Sequence, residues 1–244
     1  LTTADKRAAF RKLHESGCFI IPNPFDVGSA VALQHLGFKA LASTSAGFAW
    51  TLAKADNRVS VDDVCGHLAA ICAAVDIPVN ADFEDGFAHE PDKVGVNVGR
   101  AVKTGVAGLS IEDFTGDNAK PLFDRALAID RIRAARKAID ADNSGVLLTG
   151  RCEAFLRGQK DLALVIDRLT ADAEAGADCL YAPGIATAEE ISAVVKAVAP
   201  RPVNLLVGAA GPSLKVASDL GVRRISVGGT LARMAWAGFM KASK

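Results

Sequence analysis

The sequence predicts an α/β fold, a single (β/α)8 barrel of the TIM type, on three observations. Short apolar runs alternate with amphipathic stretches eight times along the chain. The runs are unbroken rather than alternating, as expected of parallel strands covered on both faces. The chain has 244 residues, close to the ~250 that one such barrel needs.

Taken in order, Ala4 to Ser16 has helical spacing, with Phe10 and Leu13 on one face, and Gly17 ends it. Cys18 to Ile21 is the first strand and runs into Asn23-Pro24-Phe25-Asp26. A helix over 27–36 closes at Gly37, and 38–43 is strand again, ending in Ser43-Thr44-Ser45-Ala46-Gly47. Helix 61–75, capped by Ser60, leads to strand 77–81, and helix 92–103 leads to strand 106–111. Helix 124–140 precedes strand 146–149, helix 160–175 precedes 178–181, and helix 187–198 precedes 202–207. A short helix over 213–219 precedes strand 222–227, and a last helix starts near Leu231. No linker or low-complexity stretch interrupts this alternation, so residues 1–244 read as one domain.

Composition narrows the function. Lys plus Arg and Asp plus Glu are both 28, giving a formal net charge of zero, which leaves no electrostatic footprint for nucleic acid or an anionic membrane. No apolar run approaches the ~20 residues of a membrane span, and the first residues do not read as a signal peptide. The five cysteines show neither Cys-x-x-Cys nor a His at zinc spacing. They read as small buried hydrophobes of a cytoplasmic protein.

The polar residues fall at one end of the predicted strands, the end where barrels of this class build their active sites. Those ends carry Asn23 and Asp26, then Thr44 and Ser45, then Asp82, Glu84 and Asp85. Further along come Glu112 and Asp113, Arg151 and Glu153, Tyr181 and Asn204, whereas the opposite ends begin with Cys18, Phe38, Ile77, Val106 and Gly145. The acids after Ala81 read either as a solvated loop or as holders of a hard divalent cation, which uses one or two carboxylates plus waters. Carboxylates with one arginine suit a metal together with an anionic substrate. The Ser-Ala-Gly turn after the second strand offers backbone N–H groups to an oxyanion. Metal and N–H donors together stabilise an enolate, the intermediate expected when a bond beside a carbonyl breaks.

The order Asn-Pro-Phe-Asp, Ser-Thr-Ser-Ala-Gly-Phe-Ala, Ala-Asp-Phe-Glu-Asp-Gly-Phe, Gly-Leu-Ser-Ile-Glu-Asp, Gly-Arg-Cys-Glu-Ala-Phe and Ser-Val-Gly-Gly resembles the isocitrate lyase/phosphoenolpyruvate mutase superfamily over residues 19 to about 236. The resemblance implies a Mg²⁺-dependent barrel, with Mn²⁺ as an alternative ion, acting on 2-oxo acids, 2-hydroxy di- or tricarboxylates, or phosphonopyruvate. By position it makes Asp82 the direct metal ligand and Glu84 and Glu112 acids that hold the metal through water. It gives Asp56 and Arg151 catalytic roles along with Glu112, Arg151 binding the substrate carboxylate. Thr44, Ser45 and Ala46 become the turn that grips the carboxylate and enolate oxygen. Asp26, Asp113 and Glu153 become supporting residues.

Departures from the lyase pattern matter for substrate. The Lys-Lys-Cys-Gly-His loop of the isocitrate and methylisocitrate lyases is replaced by residues 114–121, Phe-Thr-Gly-Asp-Asn-Ala-Lys-Pro, with no Cys or His. Where those lyases have Pro-Glu-Gly, the sixth strand ends in Tyr-Ala-Pro-Gly, with Pro183. The leading expectation is a lyase that breaks a C–C bond beside a carboxylate in a small 2-oxo or 2-hydroxy acid. Asn118 keeps open a C–P hydrolase or mutase acting on phosphonopyruvate, because those relatives carry an Asn on the same loop. A barrel that only binds a 2-oxo acid is the third reading. His14, His35 and His67 are expected on the outer ring of helices. The apolar last helix is expected to pack against another subunit of a homodimer or homotetramer, the chain ending about where the family's exchanged helix would begin.

Overall fold

The computed structural model describes residues 1–141, 143–209 and 211–244. In chain order the elements are α1 (Thr3–Leu13), β1 (Phe19–Ile20), α2 (Val27–His35), β2 (Leu41–Ala42), α3 (Ser45–Thr51), α4 (Val61–Ala74), β3 (Val79–Asp82), α5 (Pro91–Lys103) and β4 (Gly108–Glu112). They continue with α6 (Arg125–Ala141), β5 (Leu147–Arg151), α7 (Leu162–Glu174), β6 (Cys179–Tyr181), α8 (Ala188–Val198), β7 (Val203–Leu206), α9 (Leu214–Asp219), β8 (Arg224–Ser226) and α10 (Thr230–Ala242). All eight expected strands form and all pair parallel, in the order β1-β8-β7-β6-β5-β4-β3-β2. The end strands share no ladder. They meet through the Ala42 N–H, which donates to the Pro22 carbonyl at 3.0 Å, and through Asn23 Nδ2, which donates to the Ser43 carbonyl at 3.1 Å.

The laddered segments are shorter than the apolar runs because pairing continues beyond them as single bonds. Ile21 N–H donates to the Ile225 carbonyl and Ser43 N–H to that of Asn80. The main core lies between the sheet and the surrounding helices and includes Leu68, Ile71, Val98, Leu109, Ile132, Leu148, Val165 and Val194. Ser60 caps α4 in a reciprocal box with Asp63, as its place before an apolar run predicts.

A smaller core of Phe10, Ile21, Ala40, Ala42, Ala107 and Leu147 fills the sheet's N-terminal end, where α1 lies across it. Lys6 donates to the carbonyls of Cys72 and Val75, Arg7 to those of Val102 and Val106, and Arg11 to that of Gly145. These cations satisfy carbonyls that helix ends and loops leave unpaired. His14, at the C-cap of α1, is partly buried. It packs edge-on against Phe10 and Phe19, at centroid distances of 4.7 and 5.1 Å.

The turn expected after the second strand is the start of an additional helix, α3, whose cap Thr44 accepts from the Gly47 N–H at 3.3 Å. Only glycine fits at position 47, since a Cβ there would come within 2.6 Å of Thr44 Cγ2 and 2.9 Å of Phe25 Cβ. Helix period is hard to see in seven residues, which is why the pattern concealed it. Among the described residues no helix is long and apolar enough to cross a membrane. All five cysteines are free.

Candidate active site

The C-terminal ends of the strands open into a cavity of about 290 Å³. Thr44, Ser45, Ala46, Asp56, Asp82 and Arg151 all line it, six of the positions that the sequence pointed to. Asp82 ends β3, and its two carboxylate oxygens are both engaged. Oδ2 accepts from the Ser45 N–H at 3.0 Å, and Oδ1 accepts from Arg151 Nη1 at 3.2 Å. The Asp82 N–H donates to Ser43 Oγ at 2.9 Å, which ties the strand-end backbone to β2's loop.

Arg151, the last residue of β5, is the electrostatic centre. Its Nε donates to Glu153 Oε1 at 2.7 Å and lies 3.3 Å from Glu112 Oε2. Burial disfavours its charge, but Glu112, Glu153 and Asp82 outweigh that and hold the guanidinium firmly protonated. Glu153 is shared with a second cation, since Arg157 Nη2 lies 3.1 Å from its Oε2. Burial raises the Glu112 carboxyl well above the usual range, against the pull of Arg151.

Glu84 and Glu112 line a neighbouring hollow of about 350 Å³ with Asp85, Asn57, Phe114 and Gly116. The two spaces adjoin through Arg151, which touches Glu112, and through the Asp56-Asn57 pair, since Asn57 Nδ2 donates to Glu84 Oε2 at 3.0 Å. Burial pushes Glu84 up to about 8, and its Oε1 is buried without a partner among the described residues. Glu84 and Phe87 both have positive φ, 47° and 56°, a conformation non-glycine residues take at a cost of ~1–3 kcal/mol. Arg131, fully buried from α6, holds this loop by donating to the carbonyls of Asp85, Ala88 and His89.

The donor set fits a hydrated divalent cation better than a dry one. Among the described residues no three acidic, His or Cys side chains converge closely enough to hold an ion directly. Asp82 at the cavity with Glu84 and Glu112 behind it matches Mg²⁺, which keeps several waters. The orphaned Glu84 oxygen is a buried polar atom that a metal-bound water would satisfy.

Asp56 stands on the rim, its carboxyl bonded to Ser45 and to the Asn57 N–H. Burial of that carboxyl, then the nearby Asp82 charge, raises its pKa. Asp113 accepts from the Glu153 N–H at 2.8 Å and from Arg168 at 3.1 Å, and Asp26 caps α2, so both support the scaffold. Asn118 is not brought to the site. It is exposed on the loop between β4 and α6 and lines neither space.

Several cavity residues escaped the sequence reading: Asn80, Ser110, Arg224, Ser226 and Arg233. For Arg224 a signal was present, because Arg223-Arg224 interrupts the apolar run of the eighth strand. Tyr181 and Asn204, noted only as strand-end polar residues, also line the cavity. Burial pushes the Tyr181 phenol up to about 12, so it stays protonated.

Residues 10–244 match the phosphoenolpyruvate phosphomutase family, and the chain belongs to it. An uncharacterized Mycobacterium tuberculosis protein, Rv1998c, is 33% identical over 90% of this chain and 81% of its own length. A Burkholderia cenocepacia structure, itself only provisionally assigned as a lyase/mutase, is 45% identical with a TM-score of 0.95, covering 99% of this chain and 88% of the other. The structure of 2,3-dimethylmalate lyase, a member of the PEP mutase/isocitrate lyase superfamily, is 27% identical with a TM-score of 0.89, covering 100% of this chain and 86% of the other.

Proposed function

We propose that this member of the phosphoenolpyruvate phosphomutase family is a Mg²⁺-dependent lyase that breaks a C–C bond beside a carboxylate in a small 2-oxo or 2-hydroxy acid. The observation that carries this reading is the meeting of Asp82, Asp56 and Arg151 in one cavity built on a parallel eight-stranded sheet. We read that sheet as a (β/α)8 barrel whose seam is the β1–β2 junction, and residues 1–244 as its one domain.

Arg151 receives the substrate carboxylate, since a planar guanidinium matches it with two parallel bonds. Ser45 and Ala46 form the turn that grips the oxygen on which enolate charge develops, the Ser45 N–H leaving Asp82 Oδ2 to do so. Asp56, held at the rim with a raised pKa, is placed to move a proton to or from the reacting carbon. Thr44 fixes that turn. Held by Asp82, with Glu84 and Glu112 acting through water, Mg²⁺ would supply a Lewis acid to the carbonyl oxygen, a role Mn²⁺ can fill.

Calorimetric titration of oxalate, an enolate mimic, tests the reading. Binding that requires both Mg²⁺ and Arg151, lost in Arg151→Ala, supports it. Metal-independent binding points instead to a barrel that holds 2-oxo acids without turnover, and no binding under any condition removes the enolate site. The family match itself favours a second reading, C–P cleavage or rearrangement in phosphonopyruvate. Release of inorganic phosphate from that compound decides it.

The exposed apolar residues of α10, Met234, Phe239 and Met240 at 67%, 62% and 54%, support a homodimer or homotetramer. A monomer by light scattering at micromolar concentration would refute this.

A further inference from the structure

Beneath the mouth, the same cavity reaches a second arginine. Arg224 opens β8 yet is only 3% exposed, because its side chain turns into the interior of the curled sheet. Its Nε donates to Asn204 Oδ1 at 2.8 Å, its Nη2 to Thr149 Oγ1 at 3.2 Å, and its Nη1 lies 3.4 Å from His14 Nε2. All three partners are neutral. His14 donates through Nδ1 to the Phe10 carbonyl at 2.8 Å, which leaves Nε2 as the acceptor that Arg224 needs. Among the described residues no carboxylate forms an ion pair with Arg224. Three of a guanidinium's five N–H groups are thus used.

A buried cation without a counter-charge is unfavourable, and an anion from outside is the direct way to offset it. The surroundings are built for a polar guest. Ser110, Asn204 and Ser226, all buried, line the cavity together with Arg224. A relay also joins this floor to the mouth. Arg224 holds Asn204, Asn204 Nδ2 donates to Ser226 Oγ at 2.9 Å, Ser226 bonds Tyr181, and the Tyr181 ring centre lies 5.2 Å from the Arg151 guanidinium.

We propose that Arg224 is a second anion site at the cavity floor, where it takes the far carboxylate of a diacid whose other end is held at Arg151. The assignment of the near end rests on the lyase reading above. The floor site makes Arg224 a specificity-determining residue: it selects substrates with two carboxylates over otherwise similar monoacids. A purely structural arginine would instead brace β5, β7, β8 and α1 without any preference among ligands.

The test is calorimetric titration of malate and lactate, which differ by one carboxylate, with Mg²⁺ present and oxalate as the mouth-site control. The native chain should prefer malate by about 30-fold, the range expected for charge-assisted hydrogen bonds. Arg224→Gln should bring the ratio near one while oxalate binding changes by less than about threefold, and Arg224→Lys should restore part of the preference. Asn204→Asp, nearly isosteric, places a carboxylate beside Arg224 and should abolish the preference without relying on a truncated interior. No preference in the native chain, or a preference that survives both Arg224→Gln and Asn204→Asp, would overturn the proposal. Malate preference without oxalate binding would leave the floor site standing and remove only the enolate reading.

Discussion

Two arginines line one cavity, and the fold treats them in opposite ways. Arg151 meets three acids, Asp82, Glu112 and Glu153, the last shared with Arg157. Arg224 meets only an amide, a hydroxyl and a neutral imidazole. The mouth is therefore short of positive charge and the floor short of negative charge. A dianion with a divalent cation at its near end would correct both imbalances. A cavity's charge is best read level by level, because the summed formal charge of the chain is zero and says nothing of this separation.

The comparison breaks most visibly at Arg151. Arg151→Ala leaves Asp82 and Glu112 without their cation and Glu153 with Arg157 alone, so a stability loss of about 3–5 kcal/mol is expected by denaturant titration. Turnover should fall about 100- to 1,000-fold or more, because the carboxylate anchor goes as well. Asp82→Ala should lower metal-dependent turnover by about 100-fold or more. It also frees Arg151 of one acid, so the metal requirement for oxalate binding should disappear in calorimetry.

Arg131→Ala removes charged hydrogen bonds to the loop of Glu84 without touching the cavity, and should cost about 2–3 kcal/mol. The accompanying rise in KM would show that the loop's strained backbone is held from outside. Thr44→Ala deletes the cap of α3 and should cost about 1 kcal/mol in stability, read by thermal unfolding.

A pH effect sharpens the floor. Burial, then the charge of Arg224, lowers His14 from 6.5 to about 3. The unfolded chain then binds the extra proton between those values, so stability rises with pH across the window from 3 to 6.5. His14→Gln should flatten that part of the profile, and an unchanged acid slope would show that His14 is already free to protonate.

Much of this was legible before any coordinates. The apolar runs were visible because strands covered on both faces must be apolar, and Ser60, Gly17 and Gly37 marked helix ends by their backbone chemistry. The strand-end rule then placed Thr44, Ser45, Asp82 and Arg151 at one mouth, and the structure gathers them there with Asp56. Asn118 went the other way, because a position on a loop carries no information about where that loop leans.

The sequence alone determined the strand count, the helix caps and the chemical types at the mouth, since period, propensity and burial cost act on neighbouring residues. Only the tertiary structure decided that α3 is a helix, that His14 faces inward, and that Arg224 has no counter-ion among the described residues. Those facts depend on which distant residues come within a few ångströms: Phe25 and Ala232 around Gly47, and Thr149, Asn204 and His14 around Arg224. A charge buried in a strand announces itself in the sequence, but whether it finds a partner is settled where the chain closes on itself.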